Sequence, residues 1–436
     1  MVVPTKSQLK TSAVNSALLT TLIVTLIFVP SVQDPFNSPK LWVLILSAAW
    51  NAGYLLFRNI RFKEIAIHLK IISIIFLISI FIAGFVSQNK YTAFFGAYQR
   101  RDGVLAYLSL FILFLVLVVF IEFEYSNKLR NVILICAGSV GIYGFMQSVG
   151  ADFVRWNNPY NAIIGTLGNP NFASALMAIF SSFLVVFSIA ATNKYKIFYI
   201  GLVLLLLYNI VHSQSRQGLV AFGAGAGFAL AIVIYKRSKI FGKIAFFTYL
   251  IIGGLAVAGM LQKGPLEPLL YKESVSIRGF YWRAAIEMFK AKPIFGVGFD
   301  SYGDYFKIYR EVNYPLRYGF TITSTNAHSV PLQMFGTGGI FVGLSYVMLM
   351  IFAFVVSIKS IRKFQGQKMY FYTAIFGAWL AYQAQSIISI DSLGLAVWGW
   401  VLTGILIGLE LKQNKNSRSE EHTSELQSRQ YLVCRL

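Results

Sequence analysis

The stretch IFYIGLVLLLLYNIVHSQSRQGLVAFGAGAGFALAIVIY, from Ile197 to Tyr235, is almost continuously apolar, and its reading decides the fold. A helix needs about 20 apolar residues to span the hydrocarbon core of a bilayer. Ser213-Gln214-Ser215-Arg216-Gln217 interrupts this run near its middle. An arginine at the bilayer centre costs roughly 2.5 kcal/mol or more. The interruption is therefore an interfacial turn, and the stretch predicts two spans, 197–213 and 217–235.

The same rule applied outward predicts further spans near 12–30, 40–57, 68–86, 104–121, 131–149, 170–191, 243–261, 331–357, 369–388 and 394–410. Composition agrees. Of 436 residues 56% are hydrophobic and only 13% charged, where a soluble protein carries about a quarter charged residues. A single aqueous core cannot bury that much apolar side chain, so a bilayer must solvate much of the surface. The first apolar run follows Lys6 and Lys10, as in a signal peptide, but Pro30-Ser31-Val32-Gln33-Asp34-Pro35 offers no small-residue cleavage site. We read it as a first span. The expected fold is an all-α integral membrane protein of about 12 transmembrane helices. Residues 1–261 carry spans one to nine, 262–330 one large outer segment, 331–412 the last three spans, and 413–436 a polar tail.

The net charge of +21 does not mark a nucleic-acid binder, because the basic residues fall in short clusters between apolar runs. Twelve spans put both termini on one side. The even-numbered connections, which include Arg58, Arg61, Lys63, Lys128, Arg130, Lys194 and Lys236, hold sixteen Lys and Arg. The short odd-numbered ones hold six: Lys40, Lys90, Arg100, Arg101, Arg155 and Arg216. The even side is therefore expected to be cytoplasmic, with both termini there. The segment 262–330 lies outside, since long loops cross regardless of charge.

Several outer features carry possible chemistry. Trp282, Ala285, Ile286 and Phe289 follow the i, i+3, i+4, i+7 pattern of an amphipathic helix, ended by Pro293, Gly296 and Gly298. Its apolar face is expected on the membrane interface or against the spans. Arg283 stands four residues before Glu287, so an exposed helix ion pair accounts for it as well as a ligand role does. Arg278, at or before the helix start, has no such obvious partner. His328 sits where the chain re-enters the membrane, ahead of a Gly-rich turn at Gly336-Thr337-Gly338-Gly339. Histidine suits proton transfer near neutral pH, although a lone interfacial histidine is more often an anchor. Arg216 either snorkels at the interface or offers its planar fork to phosphate oxygens. Arg100 and Arg101, in Gly96-Ala97-Tyr98-Gln99-Arg100-Arg101-Asp102-Gly103, face outside against the charge trend. An anionic ligand explains them, or pairing with Asp102. Gly165-Thr166-Leu167-Gly168-Asn169-Pro170-Asn171 reads as a turn in which Asn169 or Asn171 caps the sixth span. Gly223 and Gly227 read as a close helix-packing face.

No carboxylate pair, metal-ligand spacing or Walker-type loop accompanies these residues, and no cofactor is expected. Cys136, in an apolar run, and Cys434, in the tail, do not suggest a disulfide framework. Four or five arginines and a histidine at membrane level suit a diphosphate held at the surface. A lipid-linked sugar diphosphate has that shape. A transporter or flippase would show repeated broken helices in two matching halves, and we find no such repeat. An inert scaffold would not need outward arginines at three separate turns.

At Gly96–Gly103, Gly165–Asn171, Ser215-Arg216-Gln217-Gly218, and from Arg278 through Trp282-Arg283 and Gly296-Val297-Gly298 to Ala327-His328, the sequence resembles the O-antigen ligase and O-antigen polymerase family, which includes bacterial O-oligosaccharyltransferases. The resemblance runs from about residue 80 to 345. It implies a C-type membrane glycosyltransferase architecture. It also implies a metal-independent transfer of a glycan from undecaprenyl diphosphate to a glycan, lipid or protein acceptor hydroxyl outside the cytoplasmic membrane. By position, Arg216 and Arg278 would hold the diphosphate. Arg100 or Arg101 would assist, with Arg283 in the same cation set. His328 would activate or orient the acceptor hydroxyl as general base. The family usually has asparagine after this histidine; here Ser329 stands there. Lipopolysaccharide can be the acceptor only where an outer membrane exists. The last residues, Ser417–Leu436, resemble translated sequencing-adapter sequence, so His422 and Cys434 enter no functional argument.

Overall fold

The computed structural model describes residues 6–56, 65–159 and 162–433. Among them the chain is helical, with no strand. In order run α1 (Lys6–Leu26), α2 (Asn37–Leu56), α3 (Ile67–Val86), α4 (Lys90–Phe95), α5 (Val104–Phe120), α6 (Ser126–Ser148), α7 (Pro170–Ala190), α8 (Asn193–His212) and α9 (Arg216–Arg237). There follow α10 (Lys239–Met260), α11 (Glu267–Leu270), α12 (Glu273–Ala291), α13 (Tyr302–Tyr309), α14 (Asn313–Tyr318), α15 (Val330–Lys363), α16 (Gly366–Ile388) and α17 (Leu393–Val433).

The long helices fall on the twelve expected spans. Among the described residues nine are long and apolar enough to cross a membrane, and α5 is an apolar helix of 17 residues. The other two, α2 and α16, carry more polar side chains, such as Asn51 and Gln385, inside the bundle. The protein is thus an all-α, multi-pass membrane protein. Helices are required because lipid offers no partner to a free backbone N–H or C=O. The break in the opening stretch is real: α8 ends at His212 and α9 begins at Arg216. Arg58, Arg61, Lys63 and Cys434 lie outside the described residues.

Burial differs sharply among the spans. The apolar window of α17 is 94% buried, so it forms the centre, whereas that of α10 is 6% buried and presents Ile240, Phe247 and Leu250 outward. A helix apolar all round at the rim is solvated by lipid. Small residues set the closest contacts. A Cβ on Gly225 would lie 2.3 Å from the carbonyl of Gly377, and one on Gly218 2.6 Å from Ser174 Cβ. These contacts bring α9 against α16 and α7. The expected Gly223–Gly227 face is only half correct: Gly227 packs on Tyr249, but Gly223 faces open space. Two residues along a helix turn the face by more than half a revolution, so Gly225 takes the contact.

Contacts sort into two ends. At one, Thr11 and Tyr125 share a 3.1 Å hydrogen bond, Lys128 donates to Asn15 (2.9 Å), and Lys236 donates to the Arg362 carbonyl (3.1 Å). At the other, Asn37 donates to the Gln99 carbonyl, Thr166 to the Thr25 carbonyl, and Ser87 and Ser301 share a 2.7 Å bond. The second end carries the segment 262–330. There α12, α13 and α14 form a small core of Phe280, Tyr281, Met288, Tyr302, Phe306 and Tyr314.

Of the Gly-rich turn, only Gly339 leaves the helix, and it breaks α15 with φ +74°. The freed backbone groups are met by the loop after α12. Val297 N–H donates to the Gly336 carbonyl (3.1 Å), Gly298 N–H to Thr337 (3.1 Å), and Ile340 N–H to Pro293 (2.7 Å). A Cβ on Gly339 would lie 2.3 Å from the Ile294 carbonyl. Gly339→Ala is therefore expected to cost about 1–3 kcal/mol from backbone strain alone, with the clash added. Thermal unfolding in detergent should fall by several degrees, and an unchanged transition would contradict this packing. The backbone of α17 remains helical past Gln413 into the polar segment, as far as Val433.

Candidate active site

His328 lies in the loop that leads into α15, with φ +53°. A left-handed backbone at a non-glycine residue costs roughly 1–3 kcal/mol and persists only when its surroundings enforce it. Three bonds do so here. His328 N–H donates to Asn326 Oδ1 (2.9 Å), Trp282 Nε1 donates to the His328 carbonyl (3.3 Å), and Ala327 N–H donates to Gln333 Oε1 (2.9 Å). The imidazole Nδ1 is 3.1 Å from the Asn326 carbonyl, and the ring stands 5.0 Å from that of Tyr281. A carbonyl only accepts, so that bond assigns the proton to Nδ1 and leaves Nε2 with a free lone pair. Burial, and next the charge of Arg278, hold the imidazole down to about 4, with the Asn326 carbonyl pulling the other way. His328 is therefore neutral at physiological pH. Ser329, at the position of the expected asparagine, is buried at the head of α15, where its carbonyl accepts from Gln333 N–H (2.8 Å).

Arg278 sits within α12, which begins five residues earlier at Glu273 and not near Tyr281 as the pattern suggests. The buried stripe of that helix is Tyr281, Ala284, Ala285 and Met288, one residue back from the expected Trp282, Ala285, Ile286 and Phe289. The shift follows from α12 packing against α15 and the small core together. It turns Ile286 outward and leaves Trp282 free to bond His328. The Arg278 guanidinium donates to the Ile388 carbonyl (2.6 Å) at the end of α16 and, among the described residues, meets no carboxylate. Burial lowers its pKa, yet a guanidinium does not deprotonate in proteins. It is an uncompensated cation.

Arg216 opens α9, and its Nε is buried without a hydrogen-bond partner. Its neighbours fix the turn: Ser215 Oγ donates to Asn171 Oδ1 (2.7 Å), and Gln217 Nε2 to Gln385 Oε1 (3.2 Å). Gln385 lies one turn before Ile388, so the C-terminal end of α16 fixes the settings of both Arg216 and Arg278. Lys272 ties the start of α12 to the same turn, donating to the Gln214 carbonyl at 2.5 Å. Asn169 caps α7 by accepting from Asn171 N–H (2.9 Å), with Pro170 at the first helical position. Beside Ile388, Asp391 accepts from Tyr107 (2.9 Å) and Tyr382 (2.8 Å) and holds the α16–α17 loop in place.

The other three arginines are engaged by carboxylates. Arg100 is buried between Asp300 (3.0 Å) and Asp102 (3.4 Å) and donates to the Thr325 hydroxyl. Burial opposes its charge, but the two carboxylates outweigh it and hold its pKa above the ordinary value. Burial, then the neighbouring Asp102, push the Asp300 pKa upward, and the Arg100 guanidinium pulls it back toward the charged form. Asp300 also accepts from Ala97 N–H (2.6 Å), so this cluster rivets the 96–103 turn to the segment 262–330. Removing one partner of a buried ion pair costs about 3–5 kcal/mol. Arg100→Ala should therefore lower the unfolding temperature and the yield of folded protein. A variant of wild-type stability that has lost activity would instead give Arg100 a ligand role. Arg101 approaches Ser38 (3.2 Å) and Asp34 (3.8 Å) with its guanidinium over Tyr98. Arg283 is clamped by both oxygens of Glu311 and lies 4.5 Å from the Phe280 ring centroid. The expected Arg283–Glu287 pair does not form, because Glu287 pairs with Lys290 (2.8 Å). Asp300, Glu311 and Asp391 gave no local signal, since their partners lie far along the chain. Asn326 did: an Asn two residues before a strained position is the pattern of an Asx turn.

Residues 200–347, which run from α8 through His328 into α15, match the family model described as O-antigen ligase. No curated protein matches the chain.

Proposed function

We propose that, as an O-antigen ligase family member, this protein transfers a glycan from a lipid diphosphate, undecaprenyl diphosphate in the first instance, to an acceptor hydroxyl. Arg216 and Arg278, which meet no carboxylate among the described residues, together with the neutral imidazole of His328 on which Arg278 acts, carry this reading. The arginines bind the diphosphate oxygens. His328 Nε2 takes the proton of the acceptor hydroxyl as that oxygen bonds to the anomeric carbon. The bond from that carbon to the diphosphate breaks, and the lipid diphosphate leaves with the electron pair. Its negative charge grows as it leaves, and prearranged cations in a water-poor site stabilise that growth. Arginine charge serves in the role a metal fills elsewhere, so the transfer is read as metal-independent. Arg100, Arg101 and Arg283 act one step back, shaping the loops. The charge count supports an active face outside the cytoplasmic membrane, with both termini inside.

Ligase and polymerase share this chemistry and differ in acceptor. Membranes containing the protein, given a lipid-linked glycan and in turn lipid A core, a protein and a second glycan, should glycosylate at least one of the three. An intact donor with no transfer to any of them would overturn the proposal.

The pH profile offers a separate check. His328 acts as base only when neutral. The dependence of kcat/KM reports groups of the free enzyme. It should stay flat as pH falls through 6.5 and decline only near 4. A decline centred on 6.5 would indicate an ordinary solvated histidine and remove the base from the scheme.

A further inference from the structure

At the end of the bundle opposite the candidate site, a cavity of about 790 Å3 opens between the starts of α6, α8 and α16 and the end of α7. Its rim carries Arg130 and Lys194, and its floor includes Leu134, Phe187 and Tyr199. Among the described residues Arg130 donates to its neighbour Asn131 (3.2 Å), and the Lys194 ammonium lies 5.3 Å from the Tyr195 ring centroid. Among the described residues neither meets a carboxylate. Two uncompensated cations above an apolar floor call for a ligand with an anionic head and an apolar body. The flank of the cavity continues into residues that face lipid. Ile135 is 50% exposed, and Ile197 and Phe198 are 73% and 56% exposed.

We infer that this cavity holds an anionic phospholipid, with its phosphate between Arg130 and Lys194 and its upper acyl chains against Phe187, Leu134 and the Ile135–Ile197 flank. Basic pockets between membrane helices take acidic head groups in this way. The apolar floor and its continuity with the lipid-facing surface favour a lipid over a free anion. A free anion would use the two cations and leave the floor bare. The start of α8, where Thr192 makes no side-chain cap, adds the positive end of a helix dipole to the field. The site stands apart from the arginines and histidine of the proposed transfer, so its test does not depend on that reaction.

The full-length protein would be reconstituted in nanodiscs of equal phosphatidylglycerol and phosphatidylcholine, and retained lipid counted by native mass spectrometry. Wild-type protein should retain phosphatidylglycerol over phosphatidylcholine by about tenfold. The Arg130→Ala/Lys194→Ala double variant should fall to parity. Ala190→Trp, which fills the cavity and keeps both cations, should also lose the preference, which guards against a misfolded double variant. Parity in the wild type, or an unchanged preference in Ala190→Trp, would overturn the inference. Displacement of the retained lipid by excess inorganic phosphate would reassign the cavity to a free anion and likewise overturn it.

Discussion

Replacing His328 with alanine should lower transfer from a lipid-linked glycan by about 10²–10⁴-fold, the usual contribution of a positioned general base. Protein level in the membrane should stay normal. Alanine tolerates φ +53° less well than histidine does, so lost activity could reflect strain in the loop. His328→Asn separates the two causes. Asparagine tolerates the left-handed conformation but has no basic nitrogen. Asn326 Oδ1 would still accept the backbone N–H, and Trp282 would still donate to the carbonyl, since both bonds involve only the main chain of residue 328. The asparagine variant should therefore keep the wild-type unfolding temperature and lose transfer as fully as alanine does. Near-normal transfer by the asparagine variant would show that residue 328 sets the loop and moves no proton.

Arg216→Ala and Arg278→Ala should each cost about 2–4 kcal/mol of barrier, which is roughly 30- to 1000-fold in kcat/KM for the donor. Their stability effect should differ from that of Arg100→Ala. Arg100 neutralises two buried carboxylates, so removing it leaves charge unpaired. Arg278 has only the Ile388 carbonyl, and Arg216 has a buried Nε with no partner. Taking away an uncompensated cation relieves a desolvation cost, so both variants should unfold at or above the wild-type temperature while activity falls. Lysine should rescue only partly, because a point charge cannot make the paired bonds of a guanidinium fork. If both arginines grip one diphosphate, the double variant should lose less than the product of the single losses. Full additivity, or near-normal transfer by either single variant at normal protein level, would dissolve the shared site.

Much of the frame is legible in the sequence because the solvent is lipid. Every spanning segment must close its own hydrogen bonds, so length and apolarity alone locate it. The turn at Ser213–Gln217 is legible for the converse reason: arginine and two glutamines are too polar for the bilayer centre. The Asn169 cap and the stop before Pro293 are local chemistry and hold as expected. Faces are less legible. The apolar pattern of α12 was offset by one residue, and the small-residue contact of α9 falls on Gly225 and not Gly223. In a chain this hydrophobic most positions are apolar on every side, so apolarity says little about which side meets a neighbour.

The sequence by itself determined that the chain crosses a membrane about twelve times. It also determined that arginines and one histidine gather at the turns of a single end. Only the tertiary structure decided which of those cations are free. Arg100 finds Asp300 two hundred residues away, Arg283 takes Glu311 in preference to Glu287, and among the described residues Arg216 and Arg278 meet no carboxylate. Helix formation in lipid is a local demand, met segment by segment. Charge compensation depends on which loops fold over which helix ends. A ligand-binding cation and a structural one are the same residue type until their neighbours are in place.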